Sequence, residues 1–160
     1  MRRVFILILL SVMVTSAKTQ NNKNTFDFWL GTWDAYWNDS LKGTNTITKT
    51  LNNLVIEENF VFNDKTFKGR SWTVYDTTKK IWKQIWVDDQ GAYLHFTGGS
   101  EGDKVILSME PAKDKKGKMV TKRMVFYNIK PDSFDWDWQS SSDKKKWKSN
   151  WLINYKRREK

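Results

Sequence analysis

The segment Phe134-Asp135-Trp136-Asp137-Trp138 sets a large ring at every second residue and an acid between each pair. A helix would scatter these side chains around its axis. Only an extended chain, whose side chains alternate between two faces, puts all the rings on one side and the acids on the other. The same period of two recurs along most of the chain. Trp33, Ala35 and Trp37 alternate with Asp34, Tyr36 and Asn38, and Trp147, Trp151, Ile153 and Tyr155 alternate with Lys148, Asn150, Asn154 and Lys156. Leu54, Ile56, Phe60 and Phe62 share one parity, with Glu58 among them. Further strand candidates span 44–51, 67–76, 81–88, 92–97, 104–110 and 119–130. Between them, turn-forming residues cluster at 63–65, 77–80, 89–91, 98–102, 113–117 and 140–145.

About ten strands at such spacings form a sandwich or a barrel. Successive short hairpins favour an up-and-down meander, and a long meander hides its two edges by closing on itself. The expected fold is therefore all-β: a single up-and-down antiparallel β-barrel of about ten strands. One short helical turn is expected at 25–30, with Thr25 as its cap. A closed barrel of that size leaves interior room for bulky side chains or for a small ligand, and the 10 tryptophans and 9 phenylalanines suit either use.

The composition removes several chemistries. With no cysteine there is no disulfide, thiolate metal site, cysteine nucleophile or lipidated cysteine anchor. With one histidine, His95, there is no His-rich zinc site and no catalysis needing two imidazoles. No Gly-rich phosphate loop, G-x-S-x-G or H-E-x-x-H is present. The formal net charge of +10, with runs at 144–146 and 156–158, raises nucleic-acid binding as a reading. The alternation instead assigns the tryptophans to the interior and the lysines to solvated faces, so no nucleic-acid partner is expected.

The first residues have a different character. Met1-Arg2-Arg3 is basic, Val4–Val14 is apolar apart from Ser11, and Thr15-Ser16-Ala17 is small. That order is a secretory signal, and the apolar run falls well short of the roughly 20 residues a spanning helix needs. The expected organisation is a signal peptide at 1–17, a flexible polar lead-in at 18–24 and the barrel domain at 25–160. Export would place the protein in the periplasm or outside the cell, with no membrane anchor once the signal is removed.

Phe26 to Trp33 reads F-D-F-W-L-G-T-W, and its Gly31-Thr32-Trp33 resembles the G-x-W signature of lipocalins and their calycin relatives. The resemblance implies that a helical turn precedes the first strand, that Trp33 plugs the closed end, and that a basic side chain from the last strand packs across it. Arg157 shares parity with Trp151 and Tyr155 and is the expected partner. The wider pattern looks similar to an uncharacterised family of secreted bacterial lipocalin-like domains. It runs through W-V-D-D-Q-G at 86–91, F-T-G-G at 96–99, R-M-V-F-Y-N-I at 123–129 and D-W-D-W at 135–138.

Each candidate site residue has a plain structural reading beside its functional one. His95 is opposite in parity to Leu94 and Phe96, which favours a wall or surface position over haem ligation or base catalysis. Similar ten-stranded haem barrels carry their histidine near the C-terminus, where this chain has Asn154 and Tyr155. Glu58 has an inward parity, and Arg70 on the next strand is its candidate partner. Asp88-Asp89 reads as a hairpin turn, Asp135 and Asp137 as wet outer-face acids, and 141–147 as a degenerate Asp-box turn.

The expected function is that of an exported protein holding a small, mostly apolar molecule. Glu58, Arg70, Trp72, Trp86 and Tyr155 form its candidate binding set, and no metal or cofactor is expected. An enzyme using the same cavity through His95 or Glu58, or a filled barrel with a structural role, are the alternatives. The ligand's identity and the oligomeric state are left open by the residues.

Overall fold

A computed structural model describes residues 21–159. The expected signal peptide at 1–17 lies outside the described residues. A single 3-10 turn, Asp27–Trp29, leads into eleven strands: β1 (Gly31–Trp37), β2 (Ser40–Thr50), β3 (Val55–Phe62), β4 (Lys68–Asp76), β5 (Ile81–Asp88), β6 (Tyr93–Glu101), β7 (Lys104–Ser108), β8 (Ala112–Lys113), β9 (Met119–Tyr127), β10 (Ser133–Ser141) and β11 (Lys148–Arg157). From β1 to β7 each strand pairs antiparallel with the next, β7 then pairs β9, β9 pairs β10, β10 pairs β11, and β11 returns to β1. The result is a closed ten-stranded antiparallel barrel, with two-residue β8 attached only to the start of β9. Closure leaves no long strand with unpaired backbone groups, which is what a meander of this length requires.

The turns use aspartate in place of backbone partners. Asp88 Oδ1 accepts hydrogen bonds from the N–H groups of Gln90 and Ala92, both at 3.0 Å. Asp143 Oδ1 accepts from Lys145 and Lys146, both at 2.8 Å. The acids at 88–89 and in the Ser141–Trp147 segment thus shape turns, as their context suggests. The glycine-rich stretch 98–102 is different from its expected turn: β6 runs on to Glu101, with Gly98 opposite Leu107 and Ser100 opposite Val105. Only Gly102-Asp103 remains to make the turn.

The closed end of the barrel is a block of rings. Phe26 meets Trp82 and Phe126 edge-on at 5.0 and 5.7 Å, Trp29 meets Phe126 at 5.3 Å, and Trp33 meets Phe134 at 4.8 Å. Edge-to-face contacts at these distances add to the stabilisation from area burial. The lead-in is tied to this end: Tyr75 Oη donates to Asn21 O at 3.0 Å and Trp82 Nε1 to Asn22 O at 3.2 Å.

Two face assignments are corrected. Asp137 is buried, not wet: Gln139 Nε2 and Ser149 Oγ each donate to its carboxylate at 2.6 Å. Trp147 departs from the parity of Trp151. Trp138 lies opposite Trp151 but Gln139 lies opposite Ser149, so β11 carries one extra residue, Asn150, in a bulge. A bulge reverses the alternation beyond it, and Trp147 stacks under the Arg123 guanidinium, 3.7 Å from its ring centre. Arg123 Nε also donates to Gln139 Oε1 at 2.8 Å, so one connected polar patch covers Asp137.

Candidate functional site

Trp33 and Arg157, the pair the resemblance points to, lie against each other. Trp33 is fully buried, its Nε1 donates to Trp29 O at 2.7 Å, and the Arg157 guanidinium lies 4.1 Å from its ring centre. Arg157 sits opposite Trp33 in the β1–β11 register. Its Nη1 and Nε donate to Leu30 O at 2.8 Å and Pro131 O at 2.7 Å. Gly31 explains the first letter of the signature: its φ is +121°, and a Cβ there would lie 2.5 Å from Arg157 Nη1. A side chain at 31 would push the guanidinium off both the ring and the Leu30 carbonyl.

Above the plug the barrel is hollow. A cavity of about 320 Å³ is walled by Phe60, Phe96, Met124, Ile153 and the rings of Trp136, Trp138, Trp151, Trp86 and Phe67. The exposure of the wall residues runs in one direction. Trp29, Phe126, Tyr155 and Glu58 at the floor are buried, whereas Trp86, Leu94, Trp138 and Trp151 are half-buried and Lys122 is exposed at the mouth. The rings of the wall brace one another: Trp136 and Trp138 lie parallel at 6.3 Å, and Trp151 meets Trp136 edge-on at 5.7 Å. Trp86 can lean into the wall because position 69 is glycine, where a Cβ would lie 2.0 Å from the indole. Its Nε1 donates to Asp88 Oδ2 at 3.0 Å, which fixes the ring from the hairpin turn.

Glu58 at the floor is backed by buried polar side chains from the neighbouring strands. Glu58 Oε1 accepts from Asn45 Nδ2 at 2.7 Å and Glu58 Oε2 from Ser71 Oγ at 2.6 Å. Asn45 Nδ2 also reaches Tyr155 Oη at 3.5 Å, and Gln84 Nε2 donates to Thr73 Oγ1 at 2.8 Å. Burial pushes the Glu58 carboxyl up from an ordinary 4.5 to about 7, against the lowering effect of its bonds from Ser71 and Asn45. Burial, and then the Glu58 charge, raise the Tyr155 hydroxyl well above its usual value. Three buried atoms of this region, Trp29 Nε1, Asn45 Oδ1 and Gln84 Oε1, have no hydrogen-bond partner within the protein. Buried polar atoms left this way are costly.

Of the expected binding set, Glu58, Trp86 and Tyr155 line the cavity and Arg70 and Trp72 do not. The hairpin between β3 and β4 pairs Glu58 with Ser71 and Asn59 with Arg70. A three-residue turn would have set Glu58 opposite Arg70; the connection is one residue longer, and a slip of one residue exchanges the faces. Arg70 and Trp72 therefore point outward and are exposed. His95 also faces outward, edge-on to Tyr93 at 4.6 Å, and shares no cavity with Glu58. Among the described residues no group of three or more His, Cys, Asp or Glu is placed to hold a metal ion.

Sequence reasoning missed Trp29, Asn45, Ser71 and Gln84. Asn45 shares parity with Ile47, which carried a usable signal of an inward polar group. Ser71 and Thr73 were masked by their outward neighbours Trp72 and Val74, which look more like a core face than they do.

The fold and cavity define an antiparallel β-barrel with an interior, aromatic-walled chamber, an architecture consistent with the lipocalin-like class. Compared with known proteins, the chain matches no family model and no curated sequence.

Proposed function

We propose that this chain is an exported, lipocalin-like carrier or receptor for a small, mostly apolar molecule, related to the secreted domains its motifs resemble. The observation that supports it is the chamber itself: about 320 Å³ of space open at one end and walled by rings that other rings hold in place. Pockets of this size and composition bind by burying apolar ligand surface, with few polar groups fixing orientation. The basic–apolar–small order of residues 1–17 supports export. Titration with an environment-sensitive apolar dye tests the binding: saturable one-to-one uptake with a change in tryptophan emission is expected. Absence of saturable uptake would leave a barrel with a structural role as the better account.

A further inference from the structure

The floor of the chamber presents one buried carboxyl, Glu58, and no positive charge. Glu58 is an 8 %-exposed carboxyl whose hydrogen-bond partners are the Asn45 amide and the Ser71 hydroxyl, not a base. Behind it, outside the lining, the buried Asn45 Oδ1 and Gln84 Oε1 have no hydrogen-bond partner within the protein. Among the described residues lining the chamber, Lys122 is the one cation, and it stands exposed at the mouth, across from the floor. Aromatic faces from Trp29, Phe60, Phe126 and Tyr155 surround the same end.

From this juxtaposition of a base-free buried carboxyl with an aromatic enclosure, and resting on the carrier reading above, we infer that the ligand is an organic amine. It enters with its apolar body among the tryptophans and its ammonium group against Glu58. A buried carboxylate is normally matched by a cation. Here burial has already removed most of the carboxyl from bulk solvent in the free protein, so the incoming ammonium meets a preformed site. Ring faces add cation–π attraction, which strengthens when water is excluded. An anionic head would face Glu58 with like charge and no base at hand. A neutral alcohol could satisfy both Glu58 and the lone Trp29 N–H, and is the ligand to expect if hydrogen bonding alone rules the floor.

The test is calorimetric titration of the full chain with three molecules of one shape: phenylbutylamine, phenylbutanol and phenylbutyrate. At about pH 8, where Glu58 is ionised, the amine should bind at least about tenfold tighter than the alcohol. That gap should close in Glu58→Gln. A second measurement needs no variant. The wild-type affinity for the amine should fall by about tenfold per pH unit below about pH 7, because Glu58 must release its proton, while the alcohol's affinity does not fall. The groups that bear on this titration are Tyr155 on β11, and Asp88 and Lys122 at the mouth; Asn45 on β2 and Ser71 on β4 are neutral. Alcohol or phenylbutyrate binding as tightly as the amine would overturn the amine assignment and leave the carrier reading standing. An amine affinity indifferent to pH would do the same. Failure of all three to bind, with no uptake of the apolar dye, would remove both.

Discussion

The two ends of this barrel are built from the same residues and do opposite things. At the closed end Phe26, Trp29, Trp33, Trp82, Phe126 and Phe134 are buried against one another, mostly edge to face. At the open end Trp86, Trp136, Trp138 and Trp151 have the same inward parity, yet they stand around a space. The difference lies in what arrives from outside the sheet. The segment before β1 folds back as a 3-10 turn and drives Phe26 and Trp29 into one end of the cylinder. Nothing comparable enters the other end among the described residues. A ring therefore fills or lines according to whether a further segment packs over it.

The largest break in that comparison is Trp33→Ala. It removes a fully buried ring together with the platform for Arg157, and it should cost about 3–5 kcal/mol in urea unfolding. A loss below about 1 kcal/mol would mean the closed end is not a tightly packed plug.

Glu58 divides the two regions and should leave a pH signature of nearly that size. Its carboxyl is raised in the folded state, so the folded state holds its proton more firmly than the unfolded chain does. The stability it confers is full below its ordinary 4.5 and is lost as pH rises through about 7. The total loss is about 3 kcal/mol, at 1.36 kcal/mol per pKa unit. Unfolding wild type and Glu58→Gln side by side across that window isolates the effect from the surface acids. A difference between the two proteins that does not change with pH would show that Glu58 is solvated.

Trp138→Ala should be the mildest for the fold and the most telling for the chamber. The ring is half-buried and braced by Trp136 and Phe96, so its loss should cost under about 2 kcal/mol. Affinity for an apolar dye should fall by about tenfold, the worth of one good ring contact. Equal costs for Trp138→Ala and Trp33→Ala would erase the distinction between lining and filling.

The strands and their closure were legible because alternation is a local property: Phe134-Asp135-Trp136-Asp137-Trp138 can satisfy its rings in no other way. The Trp33–Arg157 pairing was legible only through the resemblance of Gly31-Thr32-Trp33 to the G-x-W signature; the register that sets Arg157 opposite Trp33 came with the closed sheet. Faces were harder to read wherever both sides of a strand carry apolar residues. On β4, Trp72 and Val74 look inward and are outward, whereas Ser71 and Thr73 are buried. One residue in the length of the 63–66 turn decides this, and the cost of moving a whole face is paid by the entire sheet, not by the turn.

What the amino-acid sequence determined alone was most of the strands and the inward parity of Glu58, fixed by period-two spacing. What only the tertiary structure decided was the company Glu58 keeps. Asn45, Ser71, Glu58 and Tyr155 come from four different strands, and the sequence separation of Asn45 and Tyr155 is 110 residues. Such a contact exists only after the cylinder has closed, when β11 lies against β1 and the register of every hairpin between them has added up. The bulge at Asn150, which sends Trp147 outside onto Arg123, belongs to the same class. Alternation is set by bonds between neighbouring residues, whereas register and bulges are set by the fit of the whole sheet.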